Sequence, residues 1–405
     1  MSLAALASFQ LSLANTAGQW LCTPQAQMPQ VQMPQAQIPQ PEISPAAAPK
    51  VDKHIIYNVN VFDGEKLAPF NRVVISGGMI VPDKDTAGAT TEDGKGAFLL
   101  PGFFDAHAHV YGPCALRVFR DYGVTTALDM GTFPYQDAIA SLRAMSDKGY
   151  TAVYGSGAAA TEAGGFLSGI PGFPEDSYVT SPKDAVSFVQ ARVKEGVDYI
   201  KIFINETSEP GLNLQRIIVG SANANNLRVV SHATSDQAYG EAANANGLFI
   251  THAPRDQTLS PARISRIVAN KQVSIPTLIK MRNLVNMQHQ PKNYTFSRDS
   301  VTAMYNAKVP ILVGTDCDDG KPFVPYEGTL QVEMELLVEA KMTTIDVLKG
   351  ATSLPAMYFN LTDRGMIAPG KRADMVLLNG NPLTNISKTK EVLKVWIGGA
   401  PSVPS

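Results

Sequence analysis

The 405-residue chain is short of cysteine, of charge and of long apolar runs, and each shortage excludes something. Its three cysteines, Cys22, Cys114 and Cys317, are too few and too scattered for a disulfide framework or a cysteine-based zinc site. Charged residues make up 17% and the formal net charge is −2, so nothing electrostatic points to nucleic acid or an anionic membrane as partner. No segment approaches the roughly 18 consecutive apolar residues that would span a bilayer. Histidine is scarce as well, six in all, yet four of the six close apolar, strand-like segments.

Hydrophobic residues amount to 44%, and the length supports one large domain plus a small one. Residues 2–14 are mildly apolar but lack a positive flank and are interrupted by Gln10. A cytoplasmic protein is therefore expected, with a signal peptide within 1–22 and secretion as the alternative. Next comes a near-repeat, Ala26-Gln-Met-Pro-Gln, Val31-Gln-Met-Pro-Gln and Ala36-Gln-Ile-Pro-Gln. Proline at every fifth position rules out a regular helix or a sheet ladder, so 1–50 reads as a low-complexity tail.

From Val51 to Leu100 short β segments alternate with Gly, Pro and Asp turns, which suits part of a small β-sandwich. From Pro101 to about 355 the rhythm becomes strand, helix, strand, helix. Strand candidates end near His109, Met130, Ser156, Ile204, His232, His252, Pro276 and Asp316. Eight such units predict an α/β fold of the (β/α)8 TIM-barrel type. Short strands return after residue 356, at Asp374–Leu378 and Val392–Ile397, and would complete the sandwich as one composite domain from both termini.

Active sites of such barrels lie at the C-terminal ends of the strands. There the chain places His107 and His109, Lys201, His232, His252 and Asp316. Residues two apart on a strand share a face, so His107 and His109 can meet one metal without a bend. Neutral imidazoles and a carboxylate suit Zn²⁺ or a similar divalent ion. In Tyr199-Ile-Lys-Ile-Phe-Ile204 the alternation turns the isoleucines to the helices and Lys201 into the barrel. A lysine buried there needs a partner, and carbamylation by CO₂ would make it an anionic bridge between two ions. The plainer readings are a snorkelling lysine, a helix-capping Asp316 and core histidines. Their joint occurrence at strand ends weighs against them. His54 and His289 fit no part of the pattern.

Pro101-Gly-Phe-Phe-Asp-Ala-His-Ala-His109, Tyr199-Ile-Lys-Ile-Phe203, Val230-Ser-His232, Thr251-His252 and Val313-Gly-Thr-Asp316 resemble the amidohydrolase superfamily, within it the imidazolonepropionase-like group with Lys-bridged Xaa-Pro dipeptidases and ochratoxin-hydrolysing amidases. Arg364-Gly-Met-Ile-Ala-Pro-Gly-Lys-Arg-Ala-Asp374-Met-Val-Leu-Leu-Asn-Gly-Asn-Pro382 is similar to that group's C-terminal signature. The resemblance implies a binuclear site: His107, His109 and Asp316 on one metal, His232 and His252 on the other, carbamylated Lys201 bridging. Three departures stand out. Residues 110–122, thirteen in number, replace a longer loop and helix, so the pocket wall is short or comes from a neighbouring subunit. Ala163-Gly-Gly-Phe166 stands where many relatives have Gly-Gly-His. His252 is followed by Ala253-Pro254-Arg255 rather than by glycine.

The expected activity is hydrolysis of an amide C–N bond in a small N-acyl amino acid or peptide-like substrate by a metal-activated hydroxide, with Asp316 as the catalytic proton shuttle. Arg255, whose planar fork suits a carboxylate, and Tyr111 are the expected substrate contacts, although a surface loop arginine is an equal reading of Arg255. Alternatives are a lactam or lactone hydrolase, or a non-hydrolytic decarboxylase, dehydratase or cyclase of a biosynthetic pathway. A catalytically dead scaffold is a third class, which the retained ligands oppose. A small-molecule substrate and a homo-oligomer are expected.

Overall fold

The computed structural model describes residues 53–84, 86–132, 135–145, 148–204, 210–287, 293–318 and 324–402. The expected tail at 1–50, including the segment weighed as a signal peptide, lies outside the described residues, as does His289. Six strands open the described chain: β1 (Lys53–Tyr57), β2 (Asn60–Val61), β3 (Arg72–Ser76), β4 (Met79–Val81), β5 (Thr90–Asp93) and β6 (Phe98–Pro101). Next come β7 (Phe103–Ala108), β8 (Val124–Asp129), β9 (Ala152–Gly155), β10 (Tyr199–Phe203), β11 (Arg228–His232), β12 (Phe249–Thr251) and β13 (Val273–Ile275). The last are β14 (Met375–Leu378), β15 (Val392–Ile397) and β16 (Ala400–Ser402).

The outer strands form two sheets, ordered β4-β3-β1-β5 and β16-β15-β14-β6-β2. In the second, β6 pairs antiparallel with β14, Leu100 facing Val376, so strands from both ends of the described chain share one sheet. Val61, Leu99, Met375, Leu377 and Trp396 pack on Ile56, Val73 and Ile75 of the other sheet in one apolar cluster. Strand β5 was not expected, because Thr90-Thr-Glu-Asp93 has no apolar face. It is held at the edge partly through His54, whose ring nitrogens lie 2.9 Å from Thr90 Oγ1 and 3.2 Å from Glu92 Oε2.

The inner strands form two parallel sheets, β7-β8-β9 and β10-β11-β12-β13. Isolated parallel bridges link their neighbourhoods: Ala160 to Ile202 on one side, Ser274 to Ile311 and Ala108 to Cys317 on the other. Residues 310–316, expected as an eighth strand, form no ladder. They hydrogen-bond to both sides through isolated contacts instead, Ser274 N to Pro310 O and Leu312 N to Ser274 O on one side and Ala106 N to Val313 O on the other, each at 2.9 Å. Close approach shapes this segment: a Cβ on Gly314 would sit 2.7 Å from the His107 backbone nitrogen.

Ala106, Leu128, Tyr199, Val230, Phe249, Val273, Ile275 and Leu312 converge in one buried cluster between these strands. Ile200 and Ile202 pack instead with the surrounding helices, as the alternation in Tyr199–Ile204 predicts. Helix Pro182–Glu195 starts as expected, with Ser181 Oγ accepting from Asp184 N at 3.2 Å, and stops at Gly196 in the left-handed region, φ 76°. Helix Leu278–Met287 was not expected. It begins shortly after β13, and its first backbone N–H groups are met by Glu333, far along the chain.

Candidate metal centre

His107 is the penultimate residue of β7, His109 follows that strand directly, His232 ends β11, and His252 follows β12 directly. Lys201 is the central residue of β10, and Asp316 closes the 310–316 segment. Among the described residues, one group of three metal-capable donors has its ligand atoms within 4.8 Å of one another: His107, His109 and Asp316. Asp316 Oδ1 lies 3.4 Å from His107 Nε2 and 3.1 Å from His109 Nε2. Its other oxygen, Oδ2, faces His252 Nδ1 at 3.8 Å. His232 joins through ring contacts, its centroid 4.2 Å from that of His252, which in turn lies 4.8 Å from His107. His232 and His252 are thus adjacent but do not converge on one point with the first three.

The His107–His109 geometry differs from the regular strand expected. The β7–β8 register shifts between Asp105 and Ala108, so the backbone bulges within the motif. The two rings end 5.7 Å apart and tilted by 64°, and they still meet on Asp316 Oδ1. Three other residues of the centre hold left-handed backbone: His252 (φ 74°), Thr277 (φ 49°) and Asp316 (φ 58°). For β-branched Thr277 this is a strained conformation, of the kind that costs about 1–3 kcal/mol and collects at functional sites. His252 turns directly off β12, Thr277 turns its hydroxyl to His252 Nδ1, and Asp316 turns its carboxylate to the histidine pair.

Hydrogen bonds set the imidazole tautomers. Thr251 Oγ1 donates to Ile275 O at 3.2 Å, so toward His107 Nδ1, at 2.5 Å, it accepts. The His107 proton therefore sits on Nδ1, and the Nε2 lone pair points at the Asp316 carboxylate. Two acceptors facing each other at 3.4 Å suit a cation between them. His252 Nδ1 lies 2.9 Å from Thr277 Oγ1, leaving its Nε2 for a ligand role. The residues present fit a divalent metal.

The electrostatics agree. Burial, reinforced by the Lys201 charge, lowers His107 to about 3. Burial also holds His232 and His252 well below the usual imidazole value, so all three are neutral donors. Lys201 is lowered to about 7 by burial, with Asp316 and Asp129 pulling the other way. Burial of Asp316 is outweighed by the charges around it, Lys280 foremost, which keep its carboxylate well below the ordinary range.

Several supporting residues were not singled out by the sequence. Asp105 Oδ1 accepts from His107 N at 3.0 Å and Thr315 N at 3.1 Å, and Oδ2 accepts from Thr315 Oγ1 at 2.6 Å. It ties the histidine pair to the segment that delivers Asp316. Its place two residues before His107 was the available signal. Asp129 does the same behind His109, accepting from Val110 N at 2.7 Å and Thr132 N at 2.8 Å. Lys280, on the first turn of Leu278–Met287, donates to Asp318 Oδ2 at 2.6 Å and to Asp316 O at 3.2 Å. No motif announced it.

Of the expected substrate contacts, Arg255 is only 7% exposed, which sets aside the surface-loop reading. Its charge is felt at His232. Tyr111 is 65% exposed, two residues past His109, and helix Pro113–Asp121 begins almost at once. The wall after β7 is as short as the sequence implies. Phe166 lies against Phe203, whose ring stacks on His232 at 4.1 Å.

The model of the amidohydrolase family matches residues 98–401. An adenine deaminase of Gluconobacter oxydans is 22% identical over 346 residues, 80% of this chain and 55% of that protein. An imidazolonepropionase of Deinococcus radiodurans is 25% identical over 193 residues, 46% of this chain and 44% of that protein. The chain thus spans about half the length of the curated relatives it matches. Among solved structures, a Xaa-Pro dipeptidase with bound methionine superposes with a TM-score of 0.73 at 20% identity, covering 87% of this chain and 100% of that one. The ochratoxinase of A. niger gives 0.70 at 18% identity, covering 86% and 95%. These likenesses show an α/β fold of the TIM-barrel kind.

Proposed function

The chain belongs to the amidohydrolase family, and from that premise we propose that it is a metal-dependent hydrolase of amide C–N bonds in small N-acyl amino acids or peptide-like substrates. The observation that carries the reading is the convergence of His107 and His109 on one oxygen of Asp316, with the other oxygen turned to His252. Bound divalent ions, Zn²⁺ being the expected kind, would supply Lewis acidity and a lowered water pKa at the scissile carbonyl. His107, His109 and Asp316 would hold one ion, His232 and His252 the other, and a carbamylated Lys201 both. We read the two parallel sheets, with residues 310–316 in the eighth position, as a (β/α)8 barrel, with residues 51–100 and 356–405 as its composite sandwich.

The chain's own residues have distinct tasks. Lys201, lowered to about 7, keeps a share of neutral amine at neutral pH. Its lone pair adds to CO₂, and loss of a proton gives the carbamate. Asp316, kept ionised, takes a proton from the attacking water and passes it to the leaving nitrogen. Arg255, buried and tied by its backbone N–H to Thr234 O just past His232, is the group to receive a substrate carboxylate. Tyr111 contributes from the rim.

Metal analysis combined with a panel of N-acyl amino acids and dipeptides in ¹⁸O-water tests this reading. Stoichiometric metal and one ¹⁸O in the released carboxylate are expected. Trace metal with no hydrolysis, or a product free of ¹⁸O, would overturn it.

A further inference from the structure

Beyond the metal ligands, the His232 side of the centre continues as a row of rings. Phe203 lies opposite His232 in the β10–β11 register, and its ring stacks on the imidazole at 4.1 Å and 26°. Phe166, at the start of the 3-10 turn Leu167–Gly169, lies nearly parallel to Phe203, 6.0 Å away and tilted by 19°. At that centroid distance the rings are offset rather than eclipsed, as aromatic pairs prefer. Phe166 is 37% exposed, and Phe203 is only partly buried. Each ring thus leaves apolar surface in contact with solvent at the rim of the centre. Arg255 is buried, and its backbone N–H bonds Thr234 O at 3.0 Å, two residues past His232.

We infer that Phe166 and Phe203 form an aromatic subsite that receives a flat ring of the substrate beside the His232 half of the centre. The substrate class then narrows to N-acyl amino acids or dipeptides carrying an aromatic ring, with a carboxylate directed to Arg255. The inference rests on the amide-hydrolase reading for its substrate class, whereas the ring subsite is testable by binding alone.

The probes are 3-phenylpropionate and 3-cyclohexylpropionate, which share a carboxylate and chain length but differ in ring planarity. Calorimetric titration of the full-length, metal-loaded protein should show tighter binding of the phenyl acid by about two- to twelve-fold, the equivalent of one aromatic pair. Phe166→Ala and Phe166→Leu should both bring the ratio close to one, because leucine restores apolar bulk but not a ring face. Arg255→Ala should weaken both acids together and keep the ratio. Equal affinities in the wild type, a ratio untouched by either Phe166 variant, or no binding of either acid would overturn the subsite. Hydrolysis separates the two readings. Amide cleavage without ring preference removes the subsite alone, and ring-selective binding with no amide cleaved removes the hydrolase reading alone.

Discussion

Lys280 grips Asp316 from behind: its Nζ donates to the Asp316 carbonyl oxygen at 3.2 Å and stands 3.9 Å from Oδ2 of the same residue. The same ammonium holds Asp318 at 2.6 Å, so one buried cation fixes both ends of a turn whose first residue has φ 58°. Lys280→Met keeps the length and removes the charge. It should cost about 1–3 kcal/mol of stability, since Asp318 loses a charge-assisted hydrogen bond. Misplacing Asp316 should lower turnover by about 10- to 100-fold. Initial rates, metal content and thermal unfolding measured together check this; unchanged turnover would show that Asp316 positions itself.

Asp316→Asn preserves an oxygen ligand and removes the proton acceptor. The variant should keep much of its metal and lose about 10²- to 10⁴-fold in turnover, the usual scale of general acid–base help. Rates close to wild type would remove Asp316 from proton transfer and leave it a ligand only.

Lys201→Ala deletes the amine on which a carbamate would form. Activity should collapse and return in part with added short carboxylic acids, whose two oxygens can occupy the vacated place. Full metal content and an undiminished rate in this variant would contradict the bridge.

How much of this was legible in the chain depended on whether the cause was local. Alternation in Tyr199–Ile204 placed Lys201 inward because a strand's period is a local property, and the cluster around Tyr199 agrees. The histidines were legible because each closes an apolar run. The bulge between Asp105 and Ala108 was not, since it is set by pairing with β8. Residues 310–316 looked like a strand by composition, but contact with the His107 backbone at Gly314 makes them irregular. Arg255 read as well on a loop surface as in a pocket until packing buried it. Lys280 sits on a helix capped by Glu333, 55 residues away from Leu278, and no local pattern encodes that partnership.

That cap predicts a pH dependence. Glu333 is fully buried, and its oxygens accept from Leu278 N at 2.8 Å and Ile279 N at 2.7 Å. Burial pushes the carboxyl up from 4.5 to about 8, even though both backbone bonds favour the ionised form. Between those values the folded protein keeps a proton that the unfolded chain has lost. The stability linked to it is complete below pH 4.5 and drains away as pH rises to about 8. Glu333→Gln cannot titrate, and its amide group leaves one of the two N–H groups without an acceptor. The variant should therefore be clearly less stable than wild type in acid, with the gap narrowing steadily toward mildly alkaline pH. Groups shared by both proteins cancel in that difference. Urea unfolding of the two proteins on either side of neutrality measures it, and a gap that stays constant or widens with pH would mean that Glu333 is ionised throughout and caps the Lys280 helix as a charge.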